Sequence, residues 1–105
     1  MMSLGVIKDL CEGEALRWTN HILLRLLQRQ ILIDDVIYTL VNGDIIEQYP
    51  TDYPYPSCLV LGATVKGNPL HVVCGASKDE LWLITAYFPS IDEWTSDFRT
   101  RKGVN

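Results

Sequence analysis

The sequence predicts an α+β fold in which N-terminal helices pack on one face of a mainly antiparallel four- to five-stranded sheet. Up to Asn42-Gly43 the apolar residues recur at helical spacing, and beyond this point they follow the pattern of strands. The strand segments are separated by turns of about four residues, which favour antiparallel hairpins over helical crossovers. A chain of 105 residues fits one small core, so we assign residues 1–105 to a single domain.

Capping residues mark the starts of three helices in the first half of the chain. They are Ser3 for the first helix, Thr19 or Asn20 for the second and Asp34 for the third. The first helix is expected within residues 1–13, the second at 21–29, and the third up to Asn42-Gly43, where both residues accept the conformation that ends helices. Residues 15–18, between the first two helices, are expected to be extended.

Four strands are expected in the second half, at residues 44–49, 57–65, 70–75 and 81–88. Strand alternation divides the last of them into two faces. The wholly apolar face, expected to pack against the helices, carries Trp82, Ile84, Ala86 and Phe88. The opposite face carries Leu81, Leu83, Thr85 and Tyr87.

The tail, residues 90–105, is expected to cover that second face of the last strand. Leaving leucines in water there would forfeit about 1.5–3 kcal/mol per side chain that burial supplies. We therefore expect the tail to fold across this face with Trp94 and Phe98 as anchors. Apolar area that remains is expected to form a homodimer or a contact with another protein.

Composition excludes several classes of protein. The net charge of −4 disfavours sequence-independent coating of nucleic acid, because such binders are basic. The apolar runs are far shorter than the about 20 residues that cross a bilayer, and the N-terminus does not resemble a signal peptide. We therefore expect a cytoplasmic protein without membrane contact. The three cysteines form no CxxC pair, which predicts free thiols and no metal site or other cofactor.

Three polar residues recur every fourth position on the second helix and form one oblique stripe, namely His21, Arg25 and Arg29. Two interpretations of this stripe are open. It is either a solvated polar face, or an anion site in which the arginines bind phosphate and His21 transfers a proton near neutral pH.

Further candidate groups lie on the strands. The hydroxyls of Thr85 and Tyr87 share a face, so they either form a packing pair or orient a phosphate or nucleophile. His71 lies within a strand, where a histidine is most often a hydrogen-bonded structural residue. The four tyrosines of residues 38–55, three of them among prolines, either stack bases or belong to a rigid surface loop, and we favour the rigid loop.

Several short motifs resemble the domain of unknown function 4258 family. In the first half they are Thr19-x-His21-x-x-x-Arg25-x-x-x-Arg29-x-Ile31, Asp35-Val36 and Asn42-Gly43-x-Ile45-Ile46. In the second half they are Pro56-Ser57-Cys58-Leu59, Pro69-Leu70-His71-Val72-Val73, Ile84-Thr85-x-Tyr87-x-Pro89 and Glu93-Trp94-x-x-x-Phe98-Arg99-x-Arg101-Lys102. The resemblance spans residues 15–102. The chain departs from it at position 30, where Gln replaces the Gly common in the family.

The resemblance implies a similarity to RelE-like and barnase-like ribonuclease toxins. It implies RNA cleavage without a metal, in which a ribose 2′-hydroxyl attacks the adjacent phosphate, by the toxin of a toxin–antitoxin pair with a zinc-finger antitoxin as partner. The implied catalytic residues are His21, Arg25, Thr85 and Tyr87. The implied substrate-binding residues are Arg29, His71, Arg101 and Lys102.

Two other classes of function fit the same residues. One is a non-catalytic protein-interaction module of the same fold that binds its partner through the open sheet face. The other is a small-molecule or nucleotide-binding domain, which requires a closed pocket lined by the stripe and strand residues named above.

Overall fold

A computed structural model describes residues 2–103 and contains three helices and five strands. The helices are α1 (Leu4–Glu12), α2 (Asn20–Arg29) and α3 (Ile33–Asn42). The strands are β1 (Leu16–Trp18), β2 (Asp44–Tyr49), β3 (Ser57–Ala63), β4 (Pro69–Ala76) and β5 (Leu81–Tyr87). The described helices are too short and insufficiently apolar to cross a membrane.

The strands form one sheet in the order β1-β5-β4-β3-β2, and the helices pack on one of its faces. The pairs β2–β3, β3–β4 and β4–β5 are antiparallel, whereas β1 is parallel to β5. The predicted α+β fold with a mainly antiparallel sheet is therefore confirmed. The extended segment predicted at residues 15–18 is an edge strand that pairs with the last strand of the chain.

The core lies between the helices and the sheet. Ile22 of α2 and Leu40 of α3 are fully buried, as are Val60, Val72 and Leu83 on three adjacent strands. Helix α2 packs on β5, and α3 packs on β3. Full burial of one such side chain contributes about 1.5–3 kcal/mol, so this layer supplies most of the driving force for folding.

Helix α3 starts differently from the prediction. Its N-cap is Leu32, and Asp34, expected to be the cap, lies in the first turn. Asp35 performs the capping instead, because its Oδ2 accepts a hydrogen bond from the Leu32 N–H at 3.4 Å. Its Oδ1 accepts a second one from the Val65 N–H at 3.0 Å, which ties α3 to the β3–β4 turn.

The predicted faces of β5 are wrong over half of the strand, because β5 contains a bulge. His71, Val72 and Val73 pair with residues 87, 86 and 85, but Cys74 pairs with Leu83, so Ile84 is an extra residue. A bulge reverses the alternation of side chains along a strand. Leu81 and Leu83 consequently face the core together with Ala86. Trp82 lies on the opposite face, and Phe88 is 44% exposed.

The tail folds back on the sheet as predicted, but on a different part of it. Trp94 is 2% exposed and contacts the ring of His71, and the backbone carbonyl of Phe98 accepts a hydrogen bond from the same ring. The tail lies over the end of the open face formed by β2, β4 and the end of β5. It does not cover Leu81 and Leu83, because the bulge has turned both into the core.

Candidate functional site

The stripe on α2 is held against β5 at its first residue. Thr19 caps the helix by accepting a hydrogen bond from the Ile22 N–H at 3.1 Å. The same hydroxyl donates to the backbone carbonyl of Leu83 at 3.1 Å, which fixes the start of α2 to the middle of β5. The polar and apolar residues of α2 therefore have a defined orientation relative to the sheet.

Arg29 connects the other end of the stripe to the end of β5. Its Nη1 donates a hydrogen bond to the carbonyl of Ala86 at 2.8 Å. Strand β1 pairs only with residues 81–83, so within residues 2–103 no strand covers residues 85–87 on this side. The guanidinium of Arg29 thus binds the backbone of Ala86, the residue between Thr85 and Tyr87, at an uncovered edge of the sheet.

We call the group His21, Arg25, Arg29, Thr85 and Tyr87 the edge site. Arg25 donates to the side chain of Gln28 at 2.8 Å and is partly buried, whereas His21 is exposed. Burial raises the pKa of Tyr87, and the nearby charges of Arg101 and Arg29 counteract part of this rise. The edge site therefore combines cationic groups on α2 with two hydroxyl residues on β5 in an otherwise acidic protein, and the Tyr87 hydroxyl itself lies against His71.

His71 lies apart from the stripe and is fully buried. Its Nε2 is 2.9 Å from the carbonyl oxygen of Phe98, which can only accept, so Nε2 carries the proton. In the neutral ring Nδ1 is then the acceptor, and it receives the hydroxyl proton of Tyr87 at 3.2 Å. Burial lowers the pKa of His71, which favours this neutral form.

Arg101 contacts the same tryptophan, Trp94, as His71 does. It donates two hydrogen bonds of 3.0 Å to the carboxylate of Glu47, and its guanidinium lies 4.7 Å from the centre of the Trp94 ring. The hydrogen bonds from Arg101 lower the pKa of Glu47. Burial, followed by the bond to Glu47, raises the pKa of Tyr49 to about 12.

We call His71, Tyr87, Trp94, Arg101 and Glu47 the tail clasp. The Trp94 ring meets the His71 ring edge-on at 4.5 Å between centroids, and the backbone N–H of Lys102 donates to Glu93 at 2.8 Å. Tyr87 belongs to both groups and links the clasp to the edge site. Both ring nitrogens of His71 and the fork of Arg101 are thus engaged within the protein.

A cavity of about 400 Å³ opens on the other half of the uncovered sheet face. It is lined by Thr19, Asp52, Tyr53, Pro54, Tyr55, Gly75, Trp82 and Ile84. The rings of Tyr55 and Trp82 are stacked, with centroids 6.2 Å apart and planes at 26°. The Trp82 Nε1–H is buried without a hydrogen-bond partner, a condition that costs about 1–3 kcal/mol. We call this cavity the Trp82 pocket.

The sequence did not reveal the Trp82 pocket, because strand alternation placed Trp82 in the core. The tyrosines and prolines of residues 49–56 were the available signal. The predicted alternative of a ligand-binding domain required a pocket lined by the stripe and strand residues, and the Trp82 pocket is lined by none of those in the edge site.

An exposed apolar surface occupies the corner between α2 and α3. It consists of Leu23, Leu27, Leu32 and Ile33, which line one shallow depression, and we call it the leucine surface. Leu27 is 80% exposed and Leu32 is 66% exposed. Contiguous exposed side chains of this kind commonly mark contacts with other proteins.

The cysteines are free thiols, as predicted. Cys58 and Cys74 are buried cross-strand neighbours with their sulfur atoms 3.8 Å apart, and burial raises the pKa of Cys11 to about 11. Among residues 2–103, no cluster of three or more His, Cys, Asp or Glu side chains is arranged to hold a metal ion.

A family described as "Domain of unknown function (DUF4258)" matches residues 18–88, from the end of β1 to the residue after β5. The match includes all five residues of the edge site and excludes the tail that carries Trp94 and Arg101. Neither the curated proteins nor the solved structures contain a significant match to the chain.

Proposed function

We propose that this chain, which belongs to the family described as Domain of unknown function (DUF4258), cleaves RNA at the edge site without a metal ion. In the proposed reaction the ribose 2′-oxygen loses its proton to a base and bonds to the adjacent phosphorus. The bond from phosphorus to the 5′-oxygen breaks, and that oxygen takes up a proton. The products are a 2′,3′-cyclic phosphate and a 5′-hydroxyl end, so atoms and charge balance.

The observation that carries this proposal is the hydrogen bond between Arg29 and the carbonyl of Ala86. It brings the cationic stripe of α2 beside the strand that holds Thr85 and Tyr87. In the proposal His21 transfers the protons, because imidazole is the side chain most often used for general acid–base catalysis and this one is exposed. Arg25 and Arg29 stabilise the charge that develops on the pentacovalent phosphate, and the two hydroxyls orient the substrate.

The tail residues enter the proposal in a supporting role. His71 acts as a positioning residue, because it is buried and holds the hydroxyl of Tyr87 through Nδ1. Arg101 and Lys102 lie on the exposed side of the tail, where their charges can contact backbone phosphates of a longer RNA.

The proposed biological role is that of a toxin in a cytoplasmic toxin–antitoxin pair, similar to RelE-like and barnase-like toxins. The support is the motif resemblance together with the edge site. A zinc-finger antitoxin or a second copy of the chain is the proposed protein partner. The leucine surface supports either one, because it offers exposed apolar side chains next to the stripe.

Expression in bacteria tests this proposal. We expect the wild type to stop growth and fragment cellular RNA, and we expect His21→Ala with Arg25→Ala to do neither at an equal level of folded protein. The control is Lys66→Ala, which removes an exposed cation in the β3–β4 turn and should remain toxic. Equal growth and intact RNA in all three strains would refute the proposed ribonuclease activity.

A non-catalytic interaction module is the second candidate, and the exposure of Leu27 and Leu32 favours it. We place the contact with the partner protein on the leucine surface rather than on the sheet face, because the tail already covers part of the sheet face. We expect Leu27→Ser to abolish capture of a specific partner by the chain, while Val65→Ser in the β3–β4 turn retains it. Toxicity that survives Leu27→Ser but not His21→Ala would favour the enzyme.

A further inference from the structure

We propose that Cys58 and Cys74 form a reversible disulfide bond when the chain is exposed to a peroxide. The two residues lie directly opposite each other on the antiparallel strands β3 and β4. Their sulfur atoms are 3.8 Å apart, and both residues are fully buried. The proposal concerns a reaction of thiols, so it goes beyond the proposed function and does not depend on it.

The backbone already has the geometry that this disulfide requires. Directly opposite residues of an antiparallel pair have Cα atoms about 4.5–5.5 Å apart, and disulfides span Cα distances of about 4.4–6.8 Å. Opposite side chains also lie on the same face of the sheet. The two sulfur atoms must approach from 3.8 Å to the about 2.05 Å of the bond, and rotation of the side chains can supply this movement while the strand register is kept.

The contact between the two thiols gives each of them a different role. The hydrogen bond from Cys74 lowers the pKa of Cys58, whereas the same bond and burial raise the pKa of Cys74. A thiolate rather than a thiol attacks an oxidant, so Cys58 is the nucleophile and Cys74 resolves the intermediate. A resolving thiol at contact distance ends the reaction at the disulfide.

Hydrogen peroxide is the oxidant, and the reaction has two steps. The Cys58 thiolate attacks one peroxide oxygen, the O–O bond breaks, and a sulfenic acid and hydroxide form. The Cys74 sulfur then bonds to the Cys58 sulfur, the S–O bond breaks, and the oxygen leaves as water with the Cys74 proton. Hydroxide takes up the proton that Cys58 released first. Two thiols and one peroxide thus give one disulfide and two waters.

Helix α1 crosses the strands that carry the two cysteines. Its start is fixed beside β2, because the backbone of Met2 forms hydrogen bonds of 3.2 and 2.8 Å with the side chain of Gln48, the β2 neighbour of Cys58. Its end lies beside β5, where the carbonyl of Ala15 accepts a hydrogen bond from the Leu81 N–H at 2.8 Å. Since β3 and β4 lie between β2 and β5, α1 covers the cysteine pair on the core side of the sheet.

This cover is a short helix that depends on its contact with the core. Helix α1 has nine residues, and isolated helices shorter than about 12–15 residues are marginally stable in water. It is docked by Ile7, which is fully buried. Local opening of such an element requires less free energy than global unfolding. Opening of α1 therefore admits hydrogen peroxide to the thiols while the sheet remains folded.

Peptide mapping of the full chain after treatment with hydrogen peroxide tests the bond. Trypsin cleaves after Lys and Arg, which places the three cysteines in separate peptides, residues 9–17, 30–66 and 67–78. We expect the folded chain to lose two hydrogens and to yield peptide 30–66 linked to peptide 67–78. Dithiothreitol should restore all three free thiols. Three free thiols after treatment, or a link that includes peptide 9–17 instead, would overturn the proposal.

Two cysteine variants separate the internal bond from unspecific oxidation. Cys11→Ala removes the partly exposed thiol of α1 and should still form the bond. Cys74→Ala should lose no hydrogens, and Cys58 should gain oxygen instead because its resolving thiol is absent. A loss of two hydrogens by Cys74→Ala would contradict the pairing of Cys58 with Cys74. Circular dichroism verifies that each variant is folded.

A second pair of variants tests the cover. Ile7→Ala weakens the docking of α1 and should accelerate formation of the bond by at least about tenfold, because helix opening becomes more frequent. Val6→Ala changes the exposed side of the same helix and is the matched control, so it should react at the wild-type rate. Equal rates for Ile7→Ala and the wild type would overturn the role of α1 as the cover.

Discussion

The two histidines of the chain occupy opposite kinds of environment. His21 is exposed on α2 in a row with two arginines, whereas His71 is buried with both ring nitrogens hydrogen-bonded. An imidazole must exchange its proton with the substrate to act in acid–base catalysis. The comparison therefore shows that His21 is accessible at the surface, whereas His71 holds the tail and Tyr87 in place.

The surroundings of the two histidines extend this contrast. In the tail clasp, Glu47 accepts hydrogen bonds from both Arg101 and Tyr49, so its charge is compensated within the protein. In the edge site the guanidinium of Arg29 is bound only to a neutral carbonyl among the contacts described. The guanidinium of Arg29 thus has no carboxylate partner among the contacts described, whereas that of Arg101 has one.

The largest effect is expected for a substitution that weakens the contact between the tail and the sheet. Trp94→Ala removes a side chain that is 2% exposed and that packs between His71 and Arg101, so we expect unfolding to become easier by about 3–5 kcal/mol. Urea denaturation followed by circular dichroism measures this change. A loss below about 1 kcal/mol would show that the tail does not stabilise the domain.

The next effect compares the histidines directly. His71→Ala leaves the Tyr87 hydroxyl and the Phe98 carbonyl without their partner and opens a cavity, so we expect a loss of about 2–4 kcal/mol. His21→Ala changes an exposed position on a helix, and its free energy of unfolding should stay within about 0.5 kcal/mol of wild type. Equal losses of stability in the two variants would contradict the conclusion that His71 is a structural residue and His21 is not.

The same contrast predicts a dependence of stability on pH. The pKa of His71 is lowered from 6.5 in the folded protein, so below pH 6.5 the unfolded chain takes up a proton that the folded chain does not. Stability should therefore fall as the pH decreases from 6.5 toward the folded pKa. Denaturation midpoints across this range measure the effect, and His71→Gln should reduce the slope of stability against pH. A wild-type stability that rises on acidification would contradict the buried neutral ring.

The smallest effect concerns the end of α2. Gln30 has a positive φ of 57° at the helix C-cap, where a left-handed backbone favours glycine. Gln30→Gly should stabilise the domain by about 0.5–1 kcal/mol without altering the tail clasp. Glu14→Gly, at a φ of 56° before β1, is a comparison variant of the same geometry and should behave alike.

Much of the fold could be predicted from local sequence signals. Ser3 and Thr19 cap helices as their types suggest. Helix α3 ends at Asn42-Gly43 as predicted, but for a different reason: Gly43 is extended rather than left-handed, and a Cβ there would lie 2.5 Å from the carbonyl oxygen of Leu61. The bulge at Ile84 could not be predicted, because it depends on pairing with β4. Because Ile84 is an extra residue, the prediction assigned residues 81–83 to the wrong faces of β5 and placed Trp82 in the core instead of in the pocket.

The candidate site was predictable only in part. Helical spacing correctly placed His21, Arg25 and Arg29 on one stripe. The contact of Arg29 with Ala86 joins residues 57 positions apart, and the short length of β1 leaves that edge open. Neither fact follows from periodicity, because both depend on which strand becomes the neighbour of β5.

RNA cleavage by the purified chain in the presence of a metal chelator tests the central claim most directly. We expect the wild type to produce 2′,3′-cyclic phosphate ends, and His21→Ala to slow their formation by about 10²–10⁴-fold, the contribution usual for a proton-transfer group. The variant must melt at the same temperature as the wild type. Absence of cyclic ends with the wild type, or cleavage by His21→Ala at the wild-type rate, would contradict the account.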